Sequence, residues 1–221
     1  MASSNPTSIL TPLQSNFLTA FFQHTQDFYL TGGTALSAFY LHHRYSEDLD
    51  LFTQNDEAFQ AAEAIVNKAC LQLEIAFASV RITSYFKHLR VGAPDAPLTL
   101  HFSRDYAASI KPANRFGNVL VDSIADITAN KICAALGRTE IKDLLDLYFL
   151  DQAGYTIPNY FELAQQKDAG LAPETLAYTL SQFQIDAIPA FMIKPVMIAD
   201  LELFRKNTIA WLIEKSVPAA L

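Results

Sequence analysis

Two aspartates separated by one residue, Asp48 and Asp50, have the residue type and spacing that suit metal chemistry. They lie in the run Asp48-Leu49-Asp50-Leu51-Phe52, where acidic and apolar residues alternate with the period typical of a half-buried strand. Residues two apart on a strand project from one face about 6–7 Å apart, so both carboxylates can reach one divalent cation. Proteins usually hold Mg2+ through one or two carboxylates and substrate phosphates, so the pair favours Mg2+ or Mn2+.

A glycine pair, Gly32-Gly33, precedes this acidic segment and follows a short apolar segment. Glycines between a strand and a helix let backbone amides approach a phosphate while the positive end of the helix faces it. A tight turn without a ligand is the alternative interpretation. Thr34 is placed either to cap the helix or to bond a phosphate oxygen. Arg44 and Ser46 are either anion contacts or ordinary surface and turn residues.

The elements that must position these residues are predicted from periodicity and capping residues. In chain order they are a helix over 12–24, a strand over 27–30, a helix over 34–42, a strand over 48–52, a helix from 55 or 56 to 73, two strands within 74–91, and a strand over 98–102. Further helices are predicted over 123–136 and 139–152, and from 159, 173 and 195 onward. The fold class is therefore α/β: a core over residues 1–121, followed by a helical domain over 122–221.

Composition excludes several classes of protein. The 221 residues are 51% hydrophobic and 18% charged, which is not the composition of a disordered chain. Cys70 and Cys133 lie far apart, without the spacing of a zinc site or a secreted disulfide framework. A net charge of -7 argues against a protein that coats DNA. With no signal peptide and no long apolar run, we expect a cytoplasmic protein that does not span a membrane.

Two blocks of sequence carry a family resemblance. The first is LTGGTAL at 30–36 followed by HRYSEDLDLF at 43–52, and the second is NKICAALGR at 130–138 followed by KDLLDLY at 142–148. Together and in this order they resemble the AbiEii-type nucleotidyltransferases. That family lies within the DNA-polymerase-β-like superfamily and includes toxins of bacterial toxin–antitoxin and abortive-infection systems.

The resemblance implies a polymerase-β-like mixed sheet with flanking helices and an NTP bound through Mg2+ or Mn2+. The implied metal ligands are Asp48 and Asp50, and the implied phosphate contacts are Gly32, Gly33 and Thr34. Further nucleotide contacts would be Arg44, Ser46 and Arg138. The remaining catalytic residues would be Lys131 and Asp143. The segment 141–150 is densely apolar, so Asp143 and Asp146 should need a cationic or amide partner such as Lys131 or Arg138. A purely structural ion pair is the alternative.

One position departs from the superfamily pattern, which places a third carboxylate on a later strand. The fitting strand here, 98–102, has His101 at that position. A neutral imidazole ligates Mn2+ more readily than Mg2+ and adds no negative charge. Three interpretations follow: His101 is a variant metal ligand, Asp105 substitutes from the adjoining loop, or another strand carries the acid.

The predicted reaction is transfer of a nucleoside monophosphate from an NTP to an acceptor, which would be a tRNA or another RNA end, or a protein hydroxyl. A basic surface made of Arg81, Lys87, Arg90, Lys111 and Arg115 would favour RNA, and a toxin of this family would have an antitoxin partner. The alternative function is a catalytically silent nucleotidyltransferase fold that acts as a binding module. A haloacid-dehalogenase-like phosphatase is disfavoured, because its acid pair follows a long apolar strand.

Overall fold

The computed structural model describes residues 9–217, which form two compact units. The first unit runs up to Tyr106 and includes Pro112–Ser123. The second unit comprises Ala107–Lys111 and the chain from Ile124 onward. Among the described residues, no helix is both long and apolar enough to cross a membrane.

A seven-stranded mixed sheet forms the centre of the first unit. Its strands are β1 (Tyr29–Thr31), β2 (Leu49–Thr53), β3 (Phe77–Ile82), β4 (Phe86–Val91), β5 (Leu98–Arg104), β6 (Asn114–Phe116) and β7 (Val119–Val121). They lie in the order β3-β4-β5-β2-β1-β7-β6. β2 pairs in parallel with β5, and β1 in parallel with β7, while the other neighbours are antiparallel. The predicted α/β class with a mixed sheet is confirmed.

The helices of the first unit cover one face of this sheet. They are α1 (Pro12–His24), α2 (Gly32–Ala35), which continues as a π-helical segment (Leu36–Leu41), and α3 (Asp56–Leu73). Phe21 of α1 packs on Phe28 and on Phe102 of β5, with ring centroids 5.5 and 5.7 Å apart. Along β2, Leu49 and Leu51 are fully buried while Asp50 is half-buried. Alternation along the strand therefore puts apolar side chains under the helices and polar side chains on the opposite face.

Within the described part of the second unit, up to residue 217, five helices pack around an apolar core. They are α4 (Ile124–Gly137), α5 (Ile141–Gln152), α6 (Ile157–Lys167), α7 (Pro173–Ser181) and α8 (Ile198–Ser216). Three predicted starts were misplaced. α5 has Glu140 rather than Thr139 at its N-cap, α6 is capped by Thr156 rather than beginning at 159, and α8 begins three residues after Pro195. Thr156 is the N-cap because a proline follows it in the first turn of the helix, where the missing N–H has no intrahelical partner to lose.

Two strands and a change of helix type were not predicted. β6 and β7 have three residues each, too few to show a period of two. They are joined through Gly117, whose φ is +62°. The helix predicted over 34–42 begins two residues earlier, at Gly32, and widens into a π-helix from Leu36.

Candidate active site

The turn after β1 brings Gly32 directly against Asp50. β1 and β2 are antiparallel, and their register pairs Thr31 with Asp50. Gly32 has a φ of +71°, in the left-handed region that favours glycine. A Cβ atom at this position would overlap Asp50 Oδ2 and lie 2.9 Å from Asp50 Cγ. A residue without a side chain is therefore needed both for the backbone angle and for the approach of the carboxylate.

The second glycine faces a different pair of side chains. A Cβ atom on Gly33 would lie 2.5 Å from an Arg44 guanidinium nitrogen and 3.0 Å from Ser46 Oγ. Arg44 is buried, its Nη1 donates to the Tyr45 carbonyl at 2.9 Å, and its own carbonyl accepts from the Ser37 hydroxyl. A guanidinium and a hydroxyl beside the backbone amides of a glycine turn form a donor set suited to a phosphate. The structure thus brings the predicted nucleotide contacts Arg44 and Ser46 to the glycine turn.

Thr34 supports the acidic segment through its backbone. Its buried hydroxyl donates to the Asp48 carbonyl at 2.5 Å. The hydroxyl proton is therefore used to fix the chain immediately before β2. Asp48 and Asp50 are both half-buried, and the Asp50 side chain is 30% exposed, so solvent ions and a substrate have access to these carboxylates.

His101 is the residue that neighbours Asp50 across the parallel pair of strands. The register of β2 and β5 places Asp50 opposite His101, with 3.2 Å between Asp50 Oδ1 and His101 Nδ1. Asp105 lies four residues further along, about 13 Å by strand geometry, where it accepts a 2.5 Å hydrogen bond from the Tyr29 hydroxyl. Of the two residues considered for the third position, His101 contacts the acid pair and Asp105 is directed to a tyrosine.

Asp50 and His101 begin a row of polar side chains across neighbouring strands. A second histidine, His88, extends this row, and sequence analysis missed it. The register of β4 and β5 pairs His88 with His101, and their rings are 5.1 Å apart. Burial, then His101 and Arg90, hold the pKa of His88 below its usual range, with Asp48 acting in the opposite direction. Its buried Nε2 has no hydrogen-bond partner among the described residues. A strand register of this kind is not written in the local pattern, so sequence analysis had no signal for it.

The other end of the row is closed by Asp122, which follows β7. Asp122 Oδ2 accepts from the Thr31 hydroxyl at 2.8 Å, and Oδ1 accepts from the Ser123 amide at 2.9 Å. Its backbone carbonyl accepts from the Tyr40 hydroxyl at 2.7 Å. Asp122 therefore fixes Thr31, the residue that precedes the glycine turn. Strand β7, which was not predicted, places Asp122 beside Thr31.

The remaining predicted residues, Lys131, Arg138 and Asp143, contact one another within the helical unit. Lys131 Nζ lies 3.0 Å from Asp143 Oδ1 and 2.6 Å from Asp146 Oδ2, and Arg138 Nε lies 2.6 Å from Asp143 Oδ2. Both carboxylates are fully buried. Burial alone would raise the pKa of Asp143, but Lys131 and Arg138 hold it below the usual range. The prediction that these acids need cationic or amide partners is confirmed.

Comparison with known proteins identifies the family. A family model described as the nucleotidyl transferase AbiEii toxin of a type IV TA system matches residues 16–210. The chain belongs to this AbiEii family. Its members are nucleotidyltransferases, and transferase activity is therefore assigned to this protein. Comparison with curated proteins finds no match.

Solved structures agree with the AbiEii assignment at the level of the fold. JHP933 from Helicobacter pylori superposes with a TM-score of 0.59 at 19% identity, covering 98% of this chain and 95% of that chain. MenT4, a nucleotidyltransferase toxin from Mycobacterium tuberculosis, gives a TM-score of 0.60 at 18% identity, covering 91% of this chain and 82% of that chain. The predicted nucleotidyltransferase fold is confirmed.

The possible metal ligands of this AbiEii protein fit a divalent cation whose remaining ligands come from a bound nucleotide. Within residues 9–217, no three His, Cys, Asp or Glu side chains are arranged as a metal centre on their own. Asp48 and Asp50 offer two carboxylates, which together with phosphate oxygens satisfy the preference of Mg2+. The imidazole of His101 beside Asp50 adds a nitrogen that suits Mn2+ better. These residues alone do not form a complete coordination shell for a metal.

Proposed function

We propose that this AbiEii-family enzyme is a metal-dependent nucleotidyltransferase that transfers a nucleoside monophosphate from an NTP to the 3' end of an RNA. The acceptor hydroxyl oxygen would bond to the α-phosphorus while the bond to the pyrophosphate oxygen breaks. The hydroxyl would lose its proton, and pyrophosphate would leave. The observation that carries the proposal is the contact between the Gly32 turn and the Asp50 carboxylate, since it joins a phosphate-binding element to an acidic one.

Each residue near the turn has a role in positioning the nucleotide. The amides of the Gly32-Gly33 turn, with Arg44 and Ser46, would bind phosphate oxygens. Asp48 and Asp50 would hold the divalent cation. When bound, such a cation neutralises phosphate charge and polarises the reacting phosphoryl group. For in-line phosphoryl transfer, holding and neutralising the reacting groups supplies most of the catalysis.

The acceptor is inferred from charge on the same sheet face. Arg81 pairs with His88 across β3 and β4, and Arg90 lies two residues after His88 on β4. Both arginines are exposed, and cross-strand partners share a face, so they extend the face that carries Asp50. Two exposed cations there favour a polyanionic acceptor such as a tRNA or another RNA.

One member of the predicted basic surface is misplaced, because Lys87 is buried. It is 2% exposed, its ammonium lies 3.5 Å from Glu63 Oε2, and it sits 5.0 Å from the ring centroid of Phe59. Alternation along β4 turns Lys87 toward α3 while Arg90 faces away from it. Lys87 therefore supports the helix packing and contributes nothing to an RNA contact.

The biological role proposed is that of a toxin controlled by an antitoxin. The family description names a toxin of a type IV system, and MenT4 is itself named a nucleotidyltransferase toxin. Modification of RNA ends would account for toxicity. Induced expression of the chain would then arrest growth, and Asp50→Asn would relieve the arrest.

The decisive assay incubates purified protein with each labelled NTP, total RNA or total protein, and Mg2+ or Mn2+. We expect label in RNA, a preference for Mn2+ because of His101, and loss of at least about 100-fold in rate for Asp50→Asn, whose carboxylate charge holds the cation. Asp56→Asn is the matched control, since that side chain is 77% exposed and pairs with Arg104.

Three outcomes would contradict parts of this proposal. Wild-type transfer by a folded Asp50→Asn variant would remove Asp50 from the site. Label in protein rather than RNA would replace the acceptor. NTP binding without transfer to either acceptor would favour the silent binding module.

A further inference from the structure

Gln14 occupies the first turn of α1, where it completes the N-terminal cap of that helix. The Thr11 amide donates to Gln14 Oε1 at 2.9 Å, and the Gln14 amide donates to Thr11 Oγ1 at 3.2 Å. This reciprocal pair is a capping box. Capping alone needs only a side-chain oxygen at position 14, and glutamate would serve as well.

The same side chain makes two contacts that capping does not require. Gln14 Nε2 donates to the Ser46 carbonyl at 2.8 Å and to the Glu47 carbonyl at 3.0 Å, more than thirty residues away in sequence. Gln14 is 1% exposed. A primary amide is the group that offers one acceptor and two donors at once, and all three are used here.

Apart from a single β-bridge at Arg44, the segment that Gln14 contacts has no strand pairing and is held by side-chain hydrogen bonds. The Arg44 carbonyl accepts from the Ser37 hydroxyl, and the Asp48 carbonyl accepts from the Thr34 hydroxyl. Gln14 supplies the anchors at two of the three carbonyls between them, and the third, that of Tyr45, accepts from Arg44 Nη1. Segment 44–48 therefore takes its shape from these bonds, and the same segment carries the Ser46 hydroxyl and Arg44 guanidinium that face Gly33.

We propose that Gln14 is a positioning residue for NTP binding, which acts by holding segment 44–48 so that Ser46 and Arg44 stay against the glycine turn. The effect on NTP rests on the proposed function, whereas the effect on the segment does not. Loss of both donors frees the Ser46 and Glu47 carbonyls and lets the hydroxyl and guanidinium move away from Gly33.

Three substitutions separate positioning from helix capping. Gln14→Glu keeps the oxygen that accepts from Thr11 and removes both donors. Gln14→Lys does the reverse, because an ammonium donates but cannot accept. Thr11→Val removes the hydroxyl of the cap and leaves the Gln14 contacts with Ser46 and Glu47 in place.

The readouts are the KM for NTP, kcat, and hydrogen exchange of the amides in segment 44–48. For Gln14→Glu we expect KM to rise about tenfold, from the loss of two hydrogen bonds, with faster exchange and a smaller change in kcat. For Gln14→Lys, which keeps donors but buries an ammonium, we expect a smaller rise in KM than for Gln14→Glu. For Thr11→Val we expect KM within about twofold of wild type and a lower midpoint of thermal unfolding.

The result that overturns the proposal is Gln14→Glu with wild-type KM and wild-type exchange of the segment, or an equal rise in KM for Thr11→Val. If Gln14→Glu does not fold, Thr11→Val still decides: the proposal fails if that variant, which leaves both Gln14 contacts in place, raises KM or speeds the exchange of segment 44–48. If wild-type protein shows no transfer at all, the proposed function fails, and hydrogen exchange alone still tests whether Gln14 holds the segment.

Discussion

Replacing Gly32 with alanine tests whether the position of the Asp50 carboxylate matters to catalysis. The residue has a φ of +71°, so an alanine there costs roughly 1–2 kcal/mol in unfolding free energy for the left-handed backbone. Its Cβ would also overlap Asp50 Oδ2. The carboxylate would have to move by roughly 1.3 Å or more to reach the 3.4 Å at which ordinary van der Waals contact begins. A misplacement of this size at a reacting centre costs about 100-fold in rate.

Gly117→Ala is the matched control for this substitution. Its φ is +62°, and a Cβ there would meet no atom within 4 Å. We therefore expect a similar loss of unfolding free energy, measured by circular dichroism in urea, and wild-type kcat/KM. Gly32→Ala should combine the same loss of stability with a fall of about 100-fold in kcat/KM. If both variants retain wild-type kcat/KM, the glycine turn does not position a catalytic carboxylate and the reasoning is refuted.

Two further predictions concern the second glycine and the helical unit. Gly33→Ala should raise the Kd for NTP in a binding titration, because its Cβ would displace Arg44; Gly137→Ala, with open space around it, should not. Lys131→Met should lower the unfolding free energy by about 3–5 kcal/mol at pH 7, because it leaves buried carboxylates behind. The depressed pKa of Asp143 stabilises the wild type above about pH 4 and this stability is lost as pH falls through that pKa. In the variant, burial and the Arg138 pair remain while the lowering by Lys131 is lost, so the pKa of Asp143 lies higher than in the wild type. The deficit should therefore shrink as the pH falls toward 4, as followed by the fluorescence of the single tryptophan; a constant deficit would contradict this.

The local parts of the site could be predicted because their signals are local. The alternation around Asp48 and Asp50 indicates a strand with one polar face, and β2 has that burial pattern. The Thr11–Pro12 start of α1 is also as predicted, and of the two positions predicted for the start of α3, Asn55 provides the cap. Such signals are local because a capping residue acts within its own first turn. The glycine pair marked the turn itself, although the helix begins at Gly32 rather than at Thr34.

The parts that sequence could not supply all depend on register or on distant contacts. The choice between His101 and Asp105 required the pairing of β2 with β5, and the contribution of His88 required the pairing of β4 with β5. A shift of one residue in either register would turn these side chains to the other face. Asp122 depended on β7, whose three residues show no period. In the sequence, Gln14 has the position of a capping residue, and nothing near it indicates its contact with the Ser46 carbonyl.

The two consecutive glycines divide the charges of the site between opposite sides of the turn. Gly32 faces the Asp50 carboxylate, whereas Gly33 faces the Arg44 guanidinium and the Ser46 hydroxyl. A bound triphosphate would therefore present some oxygens to a cationic donor and others to a cation held by carboxylates, without bringing phosphate directly against Asp50. Burial holds the pKa of His88 below its usual range, which favours the neutral ring and limits how far it offsets the negative charge on the acidic side. On the proposed function, this separation of charge is what lets a polyanion and a pair of carboxylates share one turn.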